Sequence, residues 1–518
     1  MLSFNTDSTE SKKGFGKGKA IGFILGIILF VVFTFDLLNL GLSPSTSATA
    51  GIVLLMACFW VSLCLPIAVT SLLPIALFPL LGVASSATTV KYYANNNIYL
   101  FMGGFIIALA IQKWGLHRRI ALVITAFLGT SPSRLVLGFM CATAFLSMWI
   151  SNTATTMMML PIGLAVISES SRLTGKDDRF ALALMLGIAY SASVGGIATP
   201  IGTPPNIIFL GEYEKIFPLA PKISFFNWVK VFIPLVLILI PLVWIILTGI
   251  VSPLYRKSSK GKTTAIGRKI IKAELKKLGR MDSAETRVLI IFIITGLLWI
   301  FRMDIVTGFF TIPGWSKLFP NPEYFHDATV AIFMALLLFI IPAGKKYPHK
   351  FLMNWDTALK LPWGILLLFG GGFAIAGGFS ISGLDKQIGI ALKPFLMFQP
   401  FVTVFIICIM MTFLTELTSN TATTAALLPV MSSIAIAVNM NPLLLMVPAT
   451  ISASMAFMLP VATPPNAIVF SSGKIEMSQM ARVGLILNLI IAIIIACFVY
   501  YFVLPSWGYD ITLPVWAK

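Results

Sequence analysis

Two stretches of this 518-residue chain set a hydroxyl, a carboxamide and a second hydroxyl side by side within apolar sequence: Ser151-Asn152-Thr153 and Ser419-Asn420-Thr421. Two further interruptions follow them in the same order, Gly202-Thr203-Pro204-Pro205 and Ala462-Thr463-Pro464-Pro465. Successive prolines deny backbone donors and break a helix. Carbonyls upstream of such a break lose their intrahelical partners and are free to ligate a cation. The half-helix downstream begins with free N–H groups and a positive dipole end, suited to a carboxylate. The four interruptions supply hydroxyls, amides, orphan carbonyls and helix N-termini, and no lysine or arginine. A small anion can be held there by dipoles and neutral hydrogen bonds, with sodium ions sharing the site. A carrier must release its substrate, so the lack of a strong ion pair suits transport. Glu416, three residues before Ser419, is the one acid close to either motif. An intramembrane carboxylate is a functional candidate by default. Facing the site directly it would repel an anion, so its expected role is structural or electrostatic.

The elements that position these groups must be membrane helices. Apolar residues make up 58% of the chain and charged residues 11%, and mean hydropathy is +0.94. Soluble chains carry about 25% charged residues, so there is too little polar surface to coat a soluble particle. Apolar runs of spanning length, about 20 residues, fall near 20–42, 47–65, 66–83, 97–129, 180–212, 228–254, 286–302, 327–344, 361–394, 442–472 and 480–505. Two apolar pairs, 134–171 and 400–438, are interrupted at their centres by the Ser-Asn-Thr clusters. Irregular polar backbone at membrane depth is tolerated only where it is buried in protein or lines a water-filled cavity, which a re-entrant hairpin with its tip at the midplane satisfies. The expected fold is an all-α polytopic membrane protein, about 11 transmembrane helices plus two re-entrant hairpins.

The net charge of +18 is placed in short loops and is not interleaved with base-stacking aromatics. That suits a positive-inside topology in a lipid bilayer and no nucleic acid. The loop from Arg256 to Arg280 and the cluster Lys345, Lys346, His349 and Lys350 both fall inside when spans are counted from a cytoplasmic N-terminus. Ile270, Ile271, Leu275 and Leu278 recur at helical spacing among lysines, as in an interfacial amphipathic helix. Gln112, Lys113, His117, Arg118 and Arg119 mark the inner half of a long broken span. The run Ala20–Leu40 exceeds a signal-peptide core and reads as a retained span. The five cysteines show no Cys-x-x-Cys spacing and read as packing residues. Length, short loops and the absence of a transit peptide point to a bacterial cytoplasmic membrane.

The chain contains itself twice. Phe101–Leu116 matches Phe369–Leu384 and Ser151–Pro161 matches Ser419–Pro429, both at an offset of 268, and Thr203–Asn206 matches Thr463–Asn466 at 260. Five spans separate the two glycine-rich blocks, and an odd number inverts the second copy. That is the inverted-topology repeat of secondary transporters, with the binding site near the midplane between the halves. The expected organisation is a cytoplasmic tail (1–19), first-half scaffold spans (20–132), first-half transport elements (133–254), a basic cytoplasmic loop (255–285), second-half scaffold spans (286–398) and second-half transport elements (399–518).

The paired motifs resemble those of the divalent anion/sodium symporter family over roughly residues 20–505. The resemblance implies homodimers with eleven spans and two re-entrant hairpins, in which a transport domain moves against a scaffold like an elevator. It implies substrates such as succinate, malate, 2-oxoglutarate and citrate, with sulfate in some branches. Carried onto this chain, Asn152, Thr153, Ser419, Asn420 and Thr421 would contact substrate carboxylates, with Thr203, Thr463 and Pro464 contributing from the breaks. Ser147, Ser151, Asn152 and Gly202 look like one sodium site; Thr415, Thr418, Asn420 and Ala462 look like the other. Some relatives exchange dicarboxylates without sodium. A dianion entering against 100 mV faces roughly 4.6 kcal/mol; two sodium ions neutralise its charge, a third makes import potential-driven, and exchange avoids the cost. Carriage of another small anion such as sulfate, or an anion or cation channel, are the alternatives. The single-chain inverted repeat suits alternating access better than a central pore. Neither His-Glu-x-x-His nor a phosphate-binding Gly-x4-Gly-Lys-Ser/Thr motif is present, which argues against an enzyme or an ATP-driven pump.

Overall fold

The computed structural model describes residues 16–128, 131–174, 178–251, 271–306, 310–392 and 399–517. Among these, ten helices are long and apolar enough to cross a membrane. The first, Lys17–Thr34, buries only Gly22 and Gly26, which pack against Pro44–Ser62. Small residues at such a contact let two helix backbones approach closely.

The repeat is visible in the way glycines bend matching elements. The run expected at 97–129 is two helices, Asn96–Lys113 and Leu116–Leu128, joined at Gly115 with φ +76°. Its counterpart at 361–394 is Trp363–Ser382 and Leu384–Leu392, joined at Gly383 with φ +71°. Glycine adopts this left-handed conformation without steric penalty. The expected single span at 66–83 is instead two short helices, Ile67–Thr70 and Leu73–Leu80. Pro66 precedes the first and Pro74 starts the second, so the helical ladder cannot run through.

The first hairpin is Pro132–Ser147 and Asn152–Thr174; the second is Pro400–Leu417 and Asn420–Ala437. Each broken span follows its hairpin: Asp178–Gly196 with Pro204–Ile216, and Leu443–Ala453 with Pro464–Phe470. The halves interlock reciprocally. Pro204–Ile216 packs on the second hairpin's returning helix, and Pro464–Phe470 packs on the first hairpin's.

One end of the molecule gathers the basic segments. Arg119 forms a two-pronged ion pair with Glu285 at 2.6 and 3.0 Å, the geometry that suits guanidinium to carboxylate. Tyr347 donates to Asp282, and Ser283 donates to the Ala343 carbonyl. Residues 271–278 are helical; Ile271 is buried, and Leu275 and Leu278 pack on the protein core, so protein covers this apolar face. Ile270 and the basic residues before it, from 256, lie outside the described residues. All five cysteines are free.

A buried glutamate and a lysine sit apart from the motifs, with no ion pair between them among the described residues. Glu212 is fully buried, and among the described residues its carboxylate accepts no hydrogen bond. Lys215, one turn on, lies 3.3 Å from the Tyr92 ring centroid. Both face notches in the glycine-rich helix Trp363–Ser382: Gly372 beside Glu212, and Gly377 beside Lys215 and Tyr92. A Cβ at Gly377 would collide with Lys215 and the Tyr92 ring, whereas one at Gly372 would lie 3.7 Å from the Glu212 carboxylate, an ordinary contact.

Candidate functional site

The hairpin tips and the breaks are built by the same local rules. At the first tip the helix ends at Ser147 and restarts at Asn152, where Ser151 Oγ accepts from Ala154 N and Ser151 O from Thr155 N. At the second, Thr418 is extended, Ser419 O accepts from Thr423 N, and the Thr418 and Thr423 hydroxyls lie 2.6 Å apart. The breaks open with Thr203 and Thr463, both extended with φ −143°, each followed by a proline pair at the start of a helix. Proline is preorganised for that position, where its missing N–H leaves nothing unsatisfied.

At the centre of each half a hydroxyl is caught between two oxygens. Ser147 Oγ lies 2.6 Å from Asn152 Oδ1 and 2.7 Å from Ala192 O. Thr415 Oγ1 lies 2.6 Å from Asn420 Oδ1 and 3.0 Å from Ala453 O. A hydroxyl has one proton, so it can donate to only one of the two. The position of the Asn152 amide oxygen is also 3.3 Å from Gly202 O and 3.2 Å from Ala192 O, so only acceptors surround it. Turning the amide over places an N–H2 there; keeping the oxygen there makes a cluster suited to a hard cation. The carbonyls converge further at Gly202, where a Cβ would fall 2.9 Å from Ser147 O and nearer still to Gly196 O.

The chain brings the expected residues together. A cavity of about 670 Å³ is lined by Ser151, Asn152 and Thr153, by Gly202, Thr203 and Pro204, by Thr418, Ser419, Asn420 and Thr421, and by Ala462, Thr463 and Pro464. Ser147 and Thr415 do not line it; they lie fully buried behind the tips. The remaining walls are largely apolar, including Val61, Leu63, Ile67, Phe105 and Leu109. Among the described residues the one charged lining side chain is Lys360, at the rim.

Two structural parts had no assigned place in the sequence. Asn206 Nδ2 donates to the carbonyls of Gly196 and Thr199, and Asn466 Nδ2 to those of Ala456 and Leu459. The last residue of each Thr-Pro-Pro-Asn motif therefore staples its own break. Its repetition at the same place in both halves was the available signal. Glu416 does not reach the cavity. It is buried and accepts from the N–H groups of Phe457, Met458 and Leu459 at 2.7, 2.9 and 3.0 Å, and from Asn488 Nδ2 at 2.7 Å. It shapes the second break. Met148 stands at the matching position in the first half.

An inverted repeat whose hairpin tips and broken helices meet in one polar-centred cavity, within a bundle of membrane-length helices, defines a multi-pass membrane transporter, not an enzyme. The family described as the sodium:sulfate symporter transmembrane region matches residues 17–507, and the chain belongs to that family. It is 43% identical over 523 aligned residues to a sodium-dependent dicarboxylate transporter of Staphylococcus saprophyticus, covering 100% of this chain and 97% of the relative. A protein of the same description from Staphylococcus aureus matches at 43% with the same coverage. The solved structure of the Alcanivorax borkumensis YdaH transporter is similar with a TM-score of 0.56 and 12% identity, covering 82% of this chain and 89% of that one. Neisseria gonorrhoeae MtrF is similar with a TM-score of 0.52 and 14% identity, covering 79% and 83%. At these identities the structural likeness shows the fold alone.

Proposed function

We propose that this chain is a sodium-coupled carrier of C4 and C5 dicarboxylates such as succinate, malate and 2-oxoglutarate, working in the cytoplasmic membrane as a homodimer. The observation that carries the reading is the repeated meeting of a hydroxyl, an amide and a carbonyl of a broken span: Ser147 with Asn152, and Thr415 with Asn420; with the Asn152 amide oxygen turned inward, both meetings are oxygen clusters. Sodium, as co-substrate, is held by Ser147, Ser151, Asn152 and Gly202 in one half and by Thr415, Thr418, Asn420 and Ala462 in the other. The donors are hydroxyl, amide and backbone oxygens, as a hard cation requires. The positive charge of the two ions and the helix N-termini at Thr203 and Thr463 then serve the substrate carboxylates. Asn152, Thr153, Ser419, Asn420 and Thr421 give them hydrogen bonds, with Thr203, Thr463 and Pro464 closing the site. The dicarboxylate named for the family relatives supports this substrate over sulfate, and their sodium dependence supports symport over exchange.

The cavity rim at Leu63, Gln112 and Lys360 lies at span ends that the positive-inside count puts in the cytoplasm, so this is an inward-facing state. Movement of the hairpins and broken spans against the remaining helices, as an elevator, turns the same cavity outward.

Binding alone tests the reading. Succinate at 100 times its dissociation constant contributes about 2.7 kcal/mol to stability, and 1 kcal/mol moves the midpoint of a sizeable domain by about 2–4 °C. A clear rise in Tm on adding succinate in sodium, absent in potassium, is the expected result. An equal rise in both salts favours exchange; a rise with sulfate and none with succinate overturns the substrate assignment.

A further inference from the structure

The transport cavity holds no cationic side chain at its centre, yet its opening is basic. A second, open cavity of about 710 Å³ adjoins it, and both are lined by Gln112 and Ala154. One wall carries Lys113, His117 and Arg118, brought together because the helix stops at Lys113, turns at Gly115 and restarts at Leu116. The opposite wall is the first hairpin, where Thr155 is 1% exposed and its hydroxyl has no hydrogen-bond partner among the described residues.

The basic groups here have no carboxylate partner among the described residues; His117 Nδ1 is hydrogen-bonded to the Ile111 carbonyl at 3.0 Å. Arg119 next door is fully engaged by Glu285. Among the described residues neither Lys113 nor Arg118 forms an ion pair; Lys113 Nζ donates to the neutral amide oxygen of Asn354 at 3.1 Å. The acid nearest that amide, Asp356, is held by Asn354 Nδ2 at 3.4 Å. Two cations without a carboxylate partner and an imidazole, facing a buried hydroxyl across a water-accessible cleft, match the two carboxylates of a small organic dianion.

We infer that this cleft is a second dicarboxylate site, in which the substrate is held by Lys113, Arg118 and the Thr155 hydroxyl before it enters, or after it leaves, the site between the hairpin tips. The inference rests on the proposed transport reading. It divides the work: charge collects the dianion at the mouth, and neutral dipoles hold it where release must be easy.

The test compares the two faces of the membrane. Succinate uptake by intact cells reads one face; uptake by inverted membrane vesicles reads the face that carries Lys345–Lys350. Lys113→Gln with Arg118→Gln should raise KM for succinate about tenfold in inverted vesicles, while KM in cells stays unchanged. The variant's KM should also lose most of its dependence on ionic strength, and Lys113→Arg with Arg118→Lys should restore both. Thr155→Val should raise the same KM, by about threefold, without altering the salt dependence. An unchanged KM at both faces, or an equal rise at both, overturns the inference. Asn420→Ala serves as the separate control: wild-type uptake that survives it overturns the transport-site reading, whereas the face-specific KM reports on the cleft alone.

Discussion

Asn152→Ala and Asn420→Ala should each lower kcat/KM for succinate at least 100-fold in protein that remains folded. Each amide touches both kinds of ligand in the proposed site. The amide meets Ser147 or Thr415 and would turn its oxygen to a bound cation, and each residue lines the cavity at the start of a hairpin helix. Loss of a ligand or its support typically lowers metal affinity 10–100-fold, and a hydrogen bond to a charged group contributes about 1.5–3 kcal/mol. The two losses compound, because the substrate depends on the bound cations. Raising sodium should recover part of the uptake in each single variant, since the other half's cluster is intact. Transport in both variants at the wild-type rate would remove the site assignment altogether.

The second large effect concerns stability. Glu416→Ala should destabilise the protein by about 3–5 kcal/mol, because three backbone N–H groups and the Asn488 amide lose their acceptor in a buried place. The Tm should fall by roughly 10 °C. Met148, its counterpart, accepts no such set of bonds at its side chain, so Met148→Ala should cost only the packing of a half-buried methionine. A Glu416→Ala protein with unchanged Tm and reduced succinate affinity would instead make Glu416 a binding residue.

The site was legible because membrane sequence is a quiet background. Ser151-Asn152-Thr153 and Thr203-Pro204-Pro205 stand out against apolar neighbours, and their recurrence as Ser419-Asn420-Thr421 and Thr463-Pro464-Pro465 ties them to one structure. Spacing could not say what Glu416 binds, since three of its partners are backbone groups of no particular residue type 41 to 43 residues ahead, and the fourth, the Asn488 amide, lies 72 ahead. The stapling role of Asn206 and Asn466 was hidden for the opposite reason. Their partners are only seven and ten residues back, but a carbonyl released by a helix break leaves no mark in the sequence. The apolar run at 66–83 read as one span because hydropathy ignores where prolines fall; Pro66 and Pro74 divide it. Lys360 reaches the cavity from a loop whose fold depends on tertiary contacts with the Asn96–Lys113 helix, so no local pattern placed it there.

The central claim is that sodium and a dicarboxylate share the cavity between the hairpin tips and cross together. Purified protein in liposomes, given labelled succinate, tests it directly. With an inward sodium gradient and empty lumens, uptake should be saturable and should rise with more than the first power of sodium concentration. Sodium-free liposomes preloaded with succinate should take up none. Uptake only in the preloaded, sodium-free set would contradict the account, making the protein an exchanger and the Ser147–Asn152 and Thr415–Asn420 clusters structural.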